Sequence, residues 1–324
     1  MNLKPEITIV TSAYNRSEYL KVLLNSLKNQ TFKNFEWVLG NDGSIDDTDE
    51  FIKKEKMNLD FKITYIKSSH RIGKAKMDNI LFDHIKGNYT CYIGSDDHFT
   101  NHALEYLLRL IKKTNKHKDK NFAGVIAAAK NNKGENQTFY LDSLPKNELI
   151  MTYKEMRNFI KGDDTVLEHS KNYKNKKFLE VDFVINESSL LSKIHKDKYF
   201  LISPEIVKIM VRAKNSVSYG KKMSYCRGSA YCIAEEQKMN DFNEFTIIRK
   251  MRLIINYWRY CFHGDINFLK AKKMWEVTNN KWYFILIYPI AFLICLRDML
   301  LNKVEKTHIE FEKNITKAKI TIDF

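Results

Sequence analysis

A chain of 324 residues is too long for one small core, and its 44% apolar and 13% aromatic content excludes wholesale disorder. Five cysteines with no Cys-x-x-Cys pair speak against a zinc site or a disulfide framework, and fit a reducing cytoplasm. The net charge of +15 is unevenly held: residues 1–100 balance 14 basic against 14 acidic side chains, and the rest carry 40 against 25. A nucleic-acid enzyme, a protein resting on anionic lipid or a merely basic solvated surface would each show such an excess.

In chain order, Ile7–Ser12 reads as a strand, and Leu20, Leu23, Leu24 and Leu27 form the apolar stripe of a helix. Glu36–Gly40 is a second strand, followed by the turn-rich Asn41-Asp42-Gly43-Ser44. Thr48–Lys56 is expected to be helical, Lys62–Lys67 a strand, Gly73–Ile85 a helix and Tyr89–Gly94 a fourth strand ending at Ser95-Asp96-Asp97. Leu104, Leu107, Leu108 and Ile111 repeat the helical stripe, and Ala123–Ala129 reads as a buried strand. Helical hints follow at Tyr153–Ile160, with further strands expected at Val181–Ile185 and Val217–Tyr219. Such alternation predicts right-handed βαβ crossovers and a doubly wound, mostly parallel α/β sheet. The polar clusters at 11–16, 41–44 and 95–97 then share one crevice at the strand carboxyl ends. From about residue 240 the chain turns helical, aromatic and basic, and Trp282–Leu296 is an uncharged run interrupted by Pro289. The division expected is 1–239 (halves 1–115 and 116–239) and 240–324. No signal peptide is expected.

The first strand-to-helix turn, Thr11-Ser12-Ala13-Tyr14-Asn15-Arg16, has no glycine, so the dinucleotide fingerprint is missing, as is a phosphate-binding Gly-x-x-x-x-Gly-Lys loop. The strand ends carry acid instead: Asp42, Asp96 and Asp97. Adjacent carboxylates repel unless a cation or a raised pKa relieves them, and a divalent ion shared with substrate phosphates is a common solution. Capping of the helix near Asn101 would equally explain the pair.

The stretch Ile7-Thr8-Ile9-Val10-Thr11-Ser12-Ala13-Tyr14-Asn15-Arg16 resembles the opening of family 2 glycosyltransferases. Leu27-Lys28-Asn29-Gln30-Thr31-Phe32, Trp37-Val38-Leu39-Gly40-Asn41-Asp42-Gly43-Ser44, Gly73/Ala75/Asn79 and Gly94-Ser95-Asp96-Asp97 continue the pattern over about 100 residues. The resemblance implies a GT-A fold and an inverting transferase using a nucleotide-sugar donor and Mn²⁺ or Mg²⁺. By the same resemblance, Thr11, Ala13 and Tyr14 would line the nucleobase and ribose, and Asp42 would accept from the base, which favours uridine. Lys74 and Lys76 would counter diphosphate charge, and Asp96 would hold the metal with Asp97 beside it. The family's first motif aspartate is Gly94 here, and Asp97 is expected to compensate at the ribose. The family's Glu-Asp general base, at the start of a helix, has its nearest counterpart in Pro204-Glu205-Ile206, which nominates Glu205; Asp197, Asp182 and Glu187 are fallbacks.

The uncharged run is shorter than the ~20 residues of a spanning helix, so an interfacial, re-entrant or buried segment is expected. The lysines and arginines around it favour the cytoplasmic leaflet and a peripheral position on the inner face of the membrane. The processive members' Gln-x-x-Arg-Trp motif is missing, which favours addition of one sugar to a saccharide or lipid-linked saccharide acceptor, and no nucleic-acid partner is expected. A non-catalytic binding protein on a degenerate GT-A fold and a nucleotidyltransferase remain open alternatives at this level.

Overall fold

The computed structural model describes residues 4–114, 119–138, 147–160, 162–181, 183–211, 225–239, 246–275, 281–301 and 318–323. The chain divides into two compact units, one formed by residues 1–177, 194–213 and 314–324 and the other by 178–193 and 214–313. The units are therefore discontinuous, whereas the reading from sequence cuts the chain once, at 239/240. A division by composition cannot see that a C-terminal strand returns to the sheet.

In the first unit the elements run β1 (Ile7–Ala13), α1 (Ser17–Lys28), β2 (Phe35–Asn41), α2 (Thr48–Lys56), β3 (Lys62–Ser68), α3 (Lys74–Phe82) and β4 (Tyr89–Tyr92). There follow β5 (His98–Phe99), α4 (Ala103–Lys113), β6 (Phe122–Asn131), β7 (Leu149–Thr152), α5 (Tyr153–Phe159) and β8 (Asp164–His169). Strand β9 (Tyr199–Met210) follows and β10 (Ile320–Asp323) closes the set, while helix α6 (Ser188–His195), which precedes β9 in the chain, falls mostly in the second unit. The strands form one sheet in the order β10-β3-β2-β1-β4-β8-β6-β9-β5, with β7 on β9.

Strands β1 to β4 pair in parallel, as do β6 and β9, while β5, β7, β8 and β10 join antiparallel. Because β1 lies between β2 and β4, the strand order reverses at β1. The carboxyl ends of β1 and β4 form the switch point at which α/β sheets bind ligands.

The leucine stripe of α1 explains its docking. Leu20, Leu23, Leu24 and Leu27 all lie in the main core with Trp37, and each buried leucine contributes about 1.5–3 kcal/mol. Helix α4 does the same with Leu104, Leu107, Leu108 and Ile111. On the other face of the sheet, Val10, Val38 and Ile66 pack against Met77 and Leu81 of α3.

Two expectations fail here. Residues 181–185 form no strand among the described residues, and Val217–Tyr219 lies outside them. Pro204 and Glu205 do not open a helix: they sit inside β9, where the register with β6 jumps from Ala127↔Ser203 to Ala128↔Ile206. A proline has no N–H for a ladder, so the bulge receives Pro204 and Glu205 while Ile202, Val207 and Ile209 continue the strand.

The second unit is helical. Helices α7 (Cys226–Met239), α8 (Ile247–His263), α9 (Phe268–Met274), α10 (Lys281–Leu286) and α11 (Tyr288–Leu300) surround an aromatic core. Tyr257, Trp258, Trp275 and Phe284 are buried there, with the Trp258 indole N–H donating to the Phe284 carbonyl at 2.9 Å. Pro289 falls in the first turn of α11, where a missing N–H costs nothing. All five cysteines are buried and none is in a disulfide.

Candidate active site

Three loops at the strand ends are tied into one wall. The Asp42 N–H donates to the Ala13 carbonyl at 2.8 Å, and the Asn15 N–H donates to Ser44 Oγ at 2.9 Å. Asn15 Oδ1 in turn accepts from the Ile45 N–H. Gly43 has φ 68°, and a Cβ there would lie 2.2 Å from the His70 backbone, so only glycine lets the 41–44 loop close onto the segment that follows β3.

Asp42 is buried behind this wall. Its Oδ1 accepts from the Ile72 N–H at 2.6 Å, and its Oδ2 from the Gly73 N–H at 3.0 Å. Burial pushes its pKa up to about 7, against the opposing pull of those N–H groups and Arg71. The residue nominated for the base is thus also the brace for the entry to α3. The Arg71 guanidinium stands 4.1 Å from the Tyr14 ring centroid, a cation–π pair at the mouth of the crevice that the sequence did not single out.

Thr11 belongs to the support of this wall, not to its surface. It is fully buried and its Oγ1 accepts from Trp37 Nε1 at 3.1 Å, so its side chain is engaged within the core. In β1, residues 7, 9, 11 and 13 face the main core, and period-2 alternation leaves Ser12 facing α3. Ala13 is also buried, whereas Tyr14 is partly open.

Lys74 is bound within its own surroundings: Nζ lies 2.7 Å from Oδ2 of the fully buried Asp78 and 4.4 Å from the Tyr92 ring centroid. Tyr92 Oη donates to Asp78 Oδ1 at 3.0 Å and shares a hydrogen bond with Ser12 Oγ at 2.8 Å. This chain of contacts fixes the floor between β1 and α3. Lys76, two residues further along α3, is half-buried.

The metal motif follows β4. Helix α4 begins at Ala103 with His102 as its cap and no side-chain capping bond, so neither Asp96 nor Asp97 caps it. Asp96 is partly open to solvent and Asp97 is buried. Burial raises the Asp97 pKa to about 6, with Lys208 opposing that shift. A Cβ on Gly94 would sit 3.2 Å from both Asp96 Oδ1 and Asp97 Oδ2, tighter than ordinary contact, so the glycine keeps only a narrow hollow clear between the backbone and both carboxylates.

Among the described residues no three His, Cys, Asp or Glu side chains cluster as a complete metal cage. One or two carboxylates beside an open hollow fit a hard divalent ion whose remaining ligands are phosphate oxygens and water.

Sequence reasoning missed what faces this motif from the other half of the sheet. Lys208 of β9 is buried, with Nζ 2.6 Å from Asp163 Oδ1 and 3.6 Å from Asp97 Oδ2. Burial alone would lower its pKa, but Asp163 and Asp97 outweigh that and hold it raised and charged. Asp97 Oδ1 accepts from the Val211 N–H at 3.0 Å. The only hint in the sequence was a lysine inside the otherwise apolar run Ile206-Val207-Lys208-Ile209-Met210.

Glu205 lies three residues before Lys208, exposed in the bulge, with its N–H donating to Ser203 Oγ at 3.1 Å. Along a strand that offset spans roughly 10 Å. Of the fallbacks, Asp197 precedes β9 and Glu187 precedes α6, while Asp182 lies outside the described residues.

Residues 8–178 match the sequence model of "Glycosyl transferase family 2". The chain is 35% identical over 111 residues to "Glycosyltransferase GlyA" of Streptococcus pneumoniae, covering 34% of this chain and 16% of that protein. A Campylobacter jejuni protein named "GalNAc(5)-diNAcBac-PP-undecaprenol beta-1,3-glucosyltransferase" is 23% identical over 216 residues, covering 67% of this chain and 68% of its own. Among solved structures, S. aureus TarS 1-349 in complex with UDP superposes with a TM-score of 0.58 at 12% identity, covering 95% of this chain and 99% of that one. That likeness shows the fold. The match spans about a sixth of the length of the GlyA relative. With the family's region covering more than half of the chain and the GT-A architecture in place, the chain belongs to glycosyl transferase family 2.

Proposed function

We propose that the protein transfers one sugar, with inversion, from a uridine-diphosphate donor to a saccharide or lipid-linked saccharide acceptor in glycan synthesis. The observation that carries this reading is the β1/β4 switch point, with the Tyr14–Arg71 pair, Asp42 and the Asp96-Asp97 hollow all set at the carboxyl ends of neighbouring strands. The UDP bound to TarS and the undecaprenol-linked substrate in the Campylobacter relative's name support the donor and acceptor classes.

Tyr14 and Arg71 would hold the nucleoside, and Asp42 would accept from the uracil imide while bracing α3. Lys74 sits at the entry to α3, where its charge would meet the diphosphate. Asp96, with Asp97 beside it, would hold Mn²⁺ or Mg²⁺, which when bound offsets the charge gathered by a departing diphosphate. Inversion requires a carboxylate on the acceptor side, and Glu205, exposed on β9, is the residue proposed to take the acceptor's hydroxyl proton.

The helical unit supports a peripheral place on the inner face of the membrane. No helix of the described residues is long and apolar enough to cross a bilayer. Yet α11 buries only Ala291, Cys295 and Asp298, and leaves Leu293 and Leu300 65% and 87% exposed. Exposed apolar side chains in the unit that also carries Arg249, Lys250, Lys270 and Lys272 suit an anionic interface.

The test is a screen of nucleotide-sugars for thermal stabilisation with and without Mn²⁺, followed by measurement of UDP release in the presence of acceptor. Donors that stabilise and are turned over support the reading. Stabilisation by no nucleotide-sugar at all overturns it.

A further inference from the structure

The pair Asp96-Asp97 poses an electrostatic problem that the fold solves with its own cation. Lys208 is 4% exposed, and its Nζ stands between two carboxylates from different parts of the sheet, Asp97 after β4 and Asp163 before β8. The two carboxylates can be no farther apart than the sum of their distances to that nitrogen. Both oxygens of Asp97 are engaged: Oδ1 by the Val211 N–H and Oδ2 by Lys208. Oδ2 is also the oxygen that borders the hollow beside Gly94, so an ion entering there meets an ammonium already at its second carboxylate. Asp96, partly open, reaches the same hollow with Oδ1.

We propose that Lys208 is a positioning residue that sets the ligand set of this motif. It holds Asp97 in an ion triad with Asp163 and presents Asp96 as the carboxylate for a divalent cation. One carboxylate binds such an ion weakly, so the ion is retained only as its complex with a nucleoside diphosphate, whose oxygens complete the shell. Lys208 thereby couples metal retention to donor binding and joins the donor half of the sheet to the acceptor half.

This inference rests on the transferase reading, but its central experiment uses no nucleotide. Mn²⁺ binding to the full-length protein is measured by the loss of free-ion electron paramagnetic resonance signal, in the wild type and in Lys208→Met and Lys208→Arg. Removing the competing charge should tighten Mn²⁺ binding by about tenfold in Lys208→Met, because Asp97 becomes a ligand. Lys208→Arg should stay near the wild type. A merely structural lysine would give the opposite sign, so unchanged or weakened Mn²⁺ binding by folded Lys208→Met overturns the proposal.

Should Lys208→Met fail to fold, Asp97→Asn decides by calorimetry of UDP binding with and without Mn²⁺. The metal enhancement should survive within about threefold in Asp97→Asn and disappear in Asp96→Asn. Equal loss in both variants overturns the assignment. Absence of UDP binding in the wild type would instead sink the transferase reading, leaving the nucleotide-free Mn²⁺ comparison intact.

Discussion

The two units treat charge and apolar surface in opposite ways. The first packs its leucines and isoleucines on both faces of the sheet and gathers carboxylates at the strand ends, where Asp42 and Asp97 are buried and Asp96 is partly open. The second hides a charged cluster and exposes hydrocarbon. Arg259 grips Asp298 through two hydrogen bonds, His263 Nε2 lies 3.3 Å from the same carboxylate, and Cys295 Sγ is 3.6 Å from His263 Nδ1. Around that cluster Leu286, Leu293, Leu300 and Leu301 remain open. The contrast separates two kinds of need. Carboxylates left at a crevice need a cationic or hydrogen-bonding ligand, whereas apolar helices left open need a covering surface.

The largest expected effect tests the crevice. Asp96→Asn should reduce transfer on the order of 10²–10³-fold, as loss of a preorganised electrostatic contact does, while the thermal melt stays near that of the wild type. Transfer that continues unchanged in EDTA would contradict a role for the ion.

Glu205→Gln comes next. It keeps size and hydrogen bonding but removes basicity, so transfer should fall roughly 10²–10⁴-fold with UDP affinity preserved. Glu205 is exposed in the bulge, so the substitution leaves the fold in place, and near-normal turnover would move the role to Asp197, Asp182 or Glu187.

Asp42 joins stability to binding. Asp42→Ala should weaken UDP binding by about 1.5–3 kcal/mol, the range of a charged hydrogen bond. Its folded pKa, about 7, lies above the ordinary aspartate value. Its stabilising contribution is therefore full below about pH 4 and is lost as pH rises through 7. The ligand-free melting temperature of the wild type should accordingly drop between pH 6 and 8 more than that of Asp42→Asn. Parallel curves for the two proteins would show that Asp42 does not titrate there.

The smallest effect on chemistry is expected from the helical unit. Replacing Leu286, Leu293 and Leu300 together by serine should abolish flotation with anionic vesicles, while activity on a water-soluble acceptor changes by less than about threefold, since surface changes away from buried features are usually small. Loss of the fold in this variant, detected as a broadened melt, would show that the leucines pack internally.

Much of the first unit was legible because its signals are local. A leucine stripe at Leu20, Leu23, Leu24 and Leu27 specifies a helix and its buried face, and Thr48–Lys56 matches α2 residue for residue. Asp42, Asp96 and Asp97 could be found from a motif, since their spacing along the chain is set by short loops at successive strand ends. Glu205 was assigned its helix because Pro-Glu also suits a first turn; ladder pairing of Ile202 and Ile206 with β6 overrode that local preference.

By itself, then, the sequence determined the periodic elements, the parallel β1–β4 core and the acid at its edge, because each depends on neighbours a few residues apart. Only the tertiary structure decided that Thr11 turns inward to Trp37 and that Asp42 braces α3. It also placed Lys208 between Asp97 and Asp163, and brought β10 back beside β3. Those contacts join residues 26 to 258 positions apart, and strand order with side-chain alternation, not composition, sets which of them meet.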